Sequence, residues 1–148
     1  MRILDYNWAA WGEFPGPTAR TGFGPRWGGV PLGKDTLPPL TVVEETIADA
    51  LVLHAQGRLT IEDVRGLKRS LEQGWRASVT RIVLDLSECP YVDSSGIALL
   101  VNALNRSRKE KKTFLLAGPS PQVQSVLQLT KLDKIFKIFP SVPAALAG

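Results

Sequence analysis

Much of what would give a chain its own chemistry is scarce here. There is one cysteine, Cys89, which rules out an internal disulfide and a thiolate metal cluster and fits a reducing compartment. It is predicted to be a small buried hydrophobe. There is one histidine, His54, and a catalytic role for it would need a nucleophile and an orienting acid that the sequence does not place beside it. No metal or other cofactor is expected. No apolar run approaches the roughly 20 residues that cross a bilayer, and no basic segment followed by an apolar core opens the chain. The expectation is a cytoplasmic protein without membrane insertion. A formal net charge of +4, with acidic residues scattered among the basic ones, argues against a nucleic-acid partner. The serines lack the leading glycine of a nucleophile elbow, and the phosphate-loop pattern Gly-x-x-x-x-Gly-Lys-Ser/Thr is absent. Enzymatic activity is not expected.

What is present divides unevenly. Residues 1 to 39 hold seven of the thirteen glycines, six of the eleven prolines and three of the four tryptophans. Stretches such as Phe14-Pro15-Gly16-Pro17 cannot run as helix, and Pro38-Pro39 closes the region like a linker. This reads as a flexible N-terminal extension. It is an aromatic docking arm built on Trp8, Trp11 and Trp27, a segment without structure of its own, or the product of a start codon upstream of the native one. Residues 40 to 148 are the domain, long enough to bury a core without staples.

From residue 40 the hydrophobic period alternates. Strands over 40–47 and 50–56, separated by Ala48-Asp49, predict an antiparallel hairpin, and Gly57 is expected to end the second strand. Thr60 and Asp63 have capping-box spacing. They predict a helix with Val64, Leu67 and Leu71 buried, Lys68, Arg69 and Glu72 turned to water, and Trp75 packed on the sheet. Residues 81–86 form the near-continuous apolar run of a strand buried on both faces, which Cys89-Pro90 should stop. Ile97, Leu100, Val101 and Leu104 then mark one helix face. Arg106, Arg108, Lys109, Lys111 and Lys112 follow at its carboxyl end, where cations complement the dipole.

A strand over 113–118 comes next, then a helix opened by Ser120-Pro121 with Val123, Val126 and Leu127 inward. The end of that helix, at Thr130-Lys131-Leu132, either asks Lys131 to turn left-handed, at about 1 kcal/mol or more, or is built differently. A strand over 134–139 and a short helix opened by Ser141-Val142-Pro143 complete the chain. This order predicts an α/β fold: a mixed, mostly parallel β-sheet with an N-terminal antiparallel hairpin, covered by about four helices. Functional loops of such folds lie at the carboxyl ends of the strands.

One such loop is Asp93-Ser94-Ser95-Gly96. Asp and Ser are N-cap types, so ordinary helix capping is one reading, and the same position favours an anion. With Ile82-Val83-Leu84-Asp85-Leu86 and Tyr91-Val92 before it and a Leu/Val-rich helix after it, the stretch resembles the STAS domain of anti-sigma-factor antagonists. The resemblance covers about residues 40 to 148. It implies a STAS-like fold and a protein that binds an anti-sigma serine kinase with a histidine-kinase-like ATPase fold and so releases a sigma factor. Phosphorylation at Ser94, with Ser95 the fallback acceptor, would switch that binding off. Asp93, Ser95 and Gly96 make up the phosphosite loop, and a serine phosphatase is a further partner of the kind implied. The exposed side of the following helix, with Ala98, Asn102 and Asn105, is the expected contact surface together with Arg58. Where the family often has Gly-Glu-Leu-Asp, this chain has Gly57-Arg58-Leu59-Thr60, which implies a changed charge preference at that loop. The alternative role is a STAS-like accessory subunit of a transporter ATPase, docked without phosphorylation switching.

Overall fold

The computed structural model describes residues 37–148; of the extension predicted over residues 1 to 39, all but the last three lie outside the described residues. Strands β1 (Thr41–Ile47) and β2 (Ala50–Leu59) form the hairpin, with Ala48 at φ 54° and Asp49 in its turn. There follow α1 (Val64–Arg76), β3 (Arg81–Val92), α2 (Ser94–Lys109), β4 (Thr113–Ala117) and α3 (Pro121–Leu129). A 3-10 turn (Leu132–Lys134), β5 (Lys137–Phe139) and α4 (Val142–Ala147) end the chain. The five strands lie in space in the order they occur in sequence, the first pair antiparallel and the rest parallel. This is the predicted fold class.

Right-handed crossovers that all step the same way across a sheet put their helices on one face. On that face Leu53, Leu67, Leu84, Leu100, Leu116 and Leu127 are buried together. The opposite face buries Val52, Val83 and Leu115 beneath Ala145 of α4. With Ile82, Leu84 and Leu86 facing one side and Val83 the other, β3 needs apolar residues at nearly every position.

Both strands that lead to the predicted site are longer than the sequence suggested. Gly57, at φ 112°, continues β2, and an added Cβ would lie 2.6 Å from the Pro39 carbonyl oxygen. Only glycine accepts both that φ and that approach. The Arg58 N–H donates to the Pro38 carbonyl at 3.1 Å, and Leu37 is buried, so residues 37–39 are fastened to β2. Nor does Cys89-Pro90 stop β3. Between the pairs Gln56↔Glu88 and Arg58↔Tyr91, β3 carries one residue more than β2, and its pairing with β4 has already ended at Asp85. A bulge beside an unpaired edge is where a missing N–H is tolerated.

The capping box is also replaced. The Thr60 hydroxyl donates to the Asp63 carboxylate at 2.6 Å, and α1 starts after Asp63 without a side-chain cap bond. Trp75 packs on the sheet as expected, its ring 6.3 Å from that of Phe114 in β4. Lys112, expected to serve its own helix, instead donates to the Gly74 carbonyl (3.1 Å) and that of Ala77 at the end of α1. Ser120 caps α3 and Ser141 caps α4 through the N–H groups of Val123 and Ala144. Lys131 does adopt the left-handed conformation, at φ 64°. The last strand starts only at Lys137; Phe136 before it is buried against Phe114.

Candidate functional site

The carboxyl ends of β2 and β3 feed two loops, and Asp93 joins them. Its Oδ1 accepts the Gly96 N–H at 3.0 Å, which makes it the N-cap of α2, while its Oδ2 accepts the Ile61 N–H at 3.1 Å. Its own N–H donates to the Leu59 carbonyl at 3.1 Å. Gly96 is buried where α2 begins: a Cβ there would sit 2.5 Å from Val92 Cγ2 and 2.9 Å from the Leu59 carbonyl oxygen. Glycine thus lets the first turn of the helix lie directly on the strand ends. Because Asp93 does the capping, Ser94 becomes the first helical residue, exposed and without a side-chain hydrogen bond to the described residues. Ser95 is half-buried beside it.

The loop after β2 is held from within. Thr60 is buried, Arg58 Nε donates to Asp63 at 2.9 Å, and the Arg58 guanidinium also approaches Glu62 at 3.7 Å. Burial alone would raise the Asp63 pKa; hydrogen bonds from Thr60 and Arg58, with the charge of Arg58, hold it below the ordinary carboxylate value instead. Arg58 therefore lies in β2 as part of this loop's internal frame. Ile61, by contrast, is 65% exposed, with its amide fastened to Asp93. The sequence reading passed over it. The available signal was an apolar side chain at the tip of a polar loop.

Between α1 and α2 runs a groove of about 490 Å³. Ser95, Ala98, Asn102 and Asn105 of α2 line one wall, and Leu71 and Trp75 of α1 belong to the other. Four of the predicted site residues thus come together on one surface, and Arg58 is not among its lining. The Arg106 guanidinium crosses from α2 to Glu72 of α1 at 3.1 Å and also holds Glu110 at 2.9 Å.

His54 is on the opposite sheet face, in register with Val43 of β1 and Asp85 of β3. Its Nδ1 lies 2.7 Å from Asp85 Oδ2 and its Nε2 3.0 Å from Glu45 Oε1. Two carboxylates can only accept, so both ring nitrogens donate when the ring is protonated. Burial lowers the imidazole pKa, but the bonds and charges of Glu45 and Asp85 outweigh it and the net direction is upward. The arrangement ties edge strand β1 to β3. Cys89 is buried and its thiol is pushed up to about 12 by desolvation. Among the described residues no three His, Cys, Asp or Glu groups are arranged to hold a metal, and no helix is long and apolar enough to cross a membrane.

The site is thus an N-capped serine loop that opens onto a groove between two parallel helices of a small mixed-sheet domain. The STAS domain profile matches residues 41–145, and the chain belongs to the STAS domain family. A Thermotoga neapolitana protein named "Putative anti-sigma factor antagonist TM1081 homolog" is 29% identical over 109 residues, covering 73% of this chain and 93% of its own. The crystal structure of the Thermotoga maritima protein TM1081 superposes with a TM-score of 0.65 at 26% identity, over 72% of this chain and 92% of that one. The phosphorylated form of the Bacillus cell fate determinant SpoIIAA shares the fold, with a TM-score of 0.60 at 19% identity over 72% of this chain and 97% of that one.

Proposed function

We propose that this chain is an anti-sigma-factor antagonist that captures an anti-sigma serine kinase through the 93–96 loop and the exposed wall of α2, and that phosphorylation of Ser94 ends the capture. The observation that carries the reading is the division of labour at the start of α2. Asp93 caps the helix, which leaves Ser94 exposed, next to the groove-lining Ser95, with no side-chain hydrogen bond to the described residues. The protein then acts by binding, with no chemistry of its own.

The switch follows from charge. A phosphate adds about −1.5 to −2 charge, and the helix N-terminus offers it N–H donors and a favourable dipole. The fold therefore tolerates it. In a desolvated interface the same group costs several kcal/mol where like charges meet, and roughly 3 kcal/mol weakens binding about a hundredfold. Asp93 next to it adds to the local negative charge.

The test is affinity capture from native-host lysate with ADP added, comparing wild type, Ser94→Ala and Ser94→Asp. The expected result is a serine kinase retained by the first two and lost by Ser94→Asp, whose circular dichroism matches wild type. A transporter ATPase retained by all three would sink this reading and favour the accessory-subunit role instead. Loss of fold in Ser94→Asp would refute the claim that the helix end tolerates the charge.

A further inference from the structure

We propose that the α1–α2 groove receives an acidic amphipathic helix from a protein partner. This inference rests on the binding-module reading of the chain but not on phosphorylation of Ser94.

The first argument is charge. Lys68 stands on the α1 wall and Lys109 on the α2 wall; both are exposed and neither forms an ion pair with the described residues. The other charged groups in the groove, Arg106 and Glu72, are already joined to each other, and Arg106 also to Glu110. The unspent charge is therefore positive, and it is present on both walls. α1 and α2 also run in the same direction, since each follows a parallel strand. Both N-termini lie where Asp63 and Asp93 already place carboxylates, so the groove's free positive charge rests on the two lysines. A carboxylate-bearing ligand is the complement of this surface.

The second argument is shape and polarity. The floor is apolar: Leu71, Trp75 and Ala103 are buried in it, and Val64 and Leu99 are half-buried. From Ser95 to Lys109 the α2 wall extends for roughly 21 Å at the rise of an α-helix, enough for about four turns of a second helix. A groove with an apolar floor and one free cation on each wall suits a helix with an apolar stripe flanked by Asp or Glu. A nucleic acid would make no use of such a floor.

The test is selection of helix-constrained peptides of about 16 residues, displayed with randomised faces, against the full chain. The selection is followed by Kd measurement and amide chemical-shift mapping. Enrichment of an apolar i, i+4, i+7 stripe flanked by Asp and Glu is expected, with shifts confined to α1 and α2. Binding should weaken roughly tenfold or more in Lys68→Glu/Lys109→Glu and less in Lys68→Ala/Lys109→Ala, with circular dichroism unchanged in both. No enrichment, enrichment without an acidic excess, equal binding to the charge-reversed variant, or displacement of the peptides by duplex DNA or anionic vesicles would each overturn the proposal. Ser94→Asp should bind the selected peptides within about threefold of wild type, so loss of kinase capture in that variant and loss of groove binding remain separate outcomes.

Discussion

Gly96→Ala sets two effects of opposite sign against each other at the start of α2. Helix propensity favours alanine over glycine by about 1 kcal/mol in a helix interior and by less in the first turn. Against this, the new methyl would lie 2.5 Å from Val92 Cγ2 and 2.9 Å from the Leu59 carbonyl oxygen. The valine can rotate, but the carbonyl belongs to β2 and cannot yield without moving the strand end. Overpacking of this kind costs about 1–3 kcal/mol, so the net expectation is a loss of about 1.5 kcal/mol. With a urea m-value of about 1–3 kcal/mol/M, the midpoint should fall by roughly 0.5–1.5 M at unchanged m. Gly66 supplies the control. It is exposed in α1 and a Cβ there meets nothing within 4 Å, so Gly66→Ala should stabilise by up to about 1 kcal/mol. If both substitutions stabilise, the close seating of α2 on the strand ends is not a real constraint and the account of the loop fails with it.

Three further expectations concern single side chains. His54 gains two carboxylate partners on folding and its pKa rises above the ordinary 6.5. Its stabilising contribution is therefore complete below pH 6.5 and lost as pH climbs through the raised native value; urea midpoints should fall across that window in wild type and stay flat in His54→Gln, and parallel profiles would disprove the latch. Asp93→Ala should cost about 1–2 kcal/mol as the α2 cap is lost, and Asp93→Asn less, because its carbonyl can still cap Gly96 while its amide cannot accept from Ile61. Hydrogen exchange at the Ile61 amide should quicken in both, and an unchanged rate would mean that Asp93 does not hold that loop. Cys89 should resist thiol reagents at pH 8 until the protein unfolds, since its buried thiol has a pKa of about 12; rapid labelling of the native protein would contradict its burial.

The α/β alternation was legible because the near-continuous apolar run of β3 and the helical stripe of α2 are distinct patterns, and neither depends on distant parts of the chain. The same holds for the caps at Ser120 and Ser141, where the donor and acceptor are three residues apart. What misled was punctuation. Gly57 and Cys89-Pro90 look like stops, yet they sit opposite each other in a bulge that carries both strands onward to the site. Thr60 and Asp63 have capping-box spacing, but Arg58 draws the Asp63 carboxylate into an ion pair and the threonine donates to it. The strand ends are decided by a partner strand and by the chain at Pro38-Pro39, which local pattern cannot report; the lost capping box is local, but its spacing alone does not say that Arg58 will compete for Asp63. The candidate loop was legible as a motif, while the Ile61 to Asp93 bond spans 32 residues and belongs to the tertiary structure alone.

The strands lie side by side in the order the chain presents them. Every sheet neighbour is therefore also the next strand in sequence, so closing each step costs the entropy of one short crossover and no long-range search. Every residue that lines the groove, from Val64 to Lys109, belongs to the stretch that runs from α1 through α2. As the chain leaves the ribosome that surface is fully synthesised before β4 appears. Strand β4, added later, then packs behind α2 and acts as its foundation, and none of the residues that line the groove comes from beyond α2. Variation in the last third of the chain should therefore tune how firmly the surface is held while leaving what it recognises untouched.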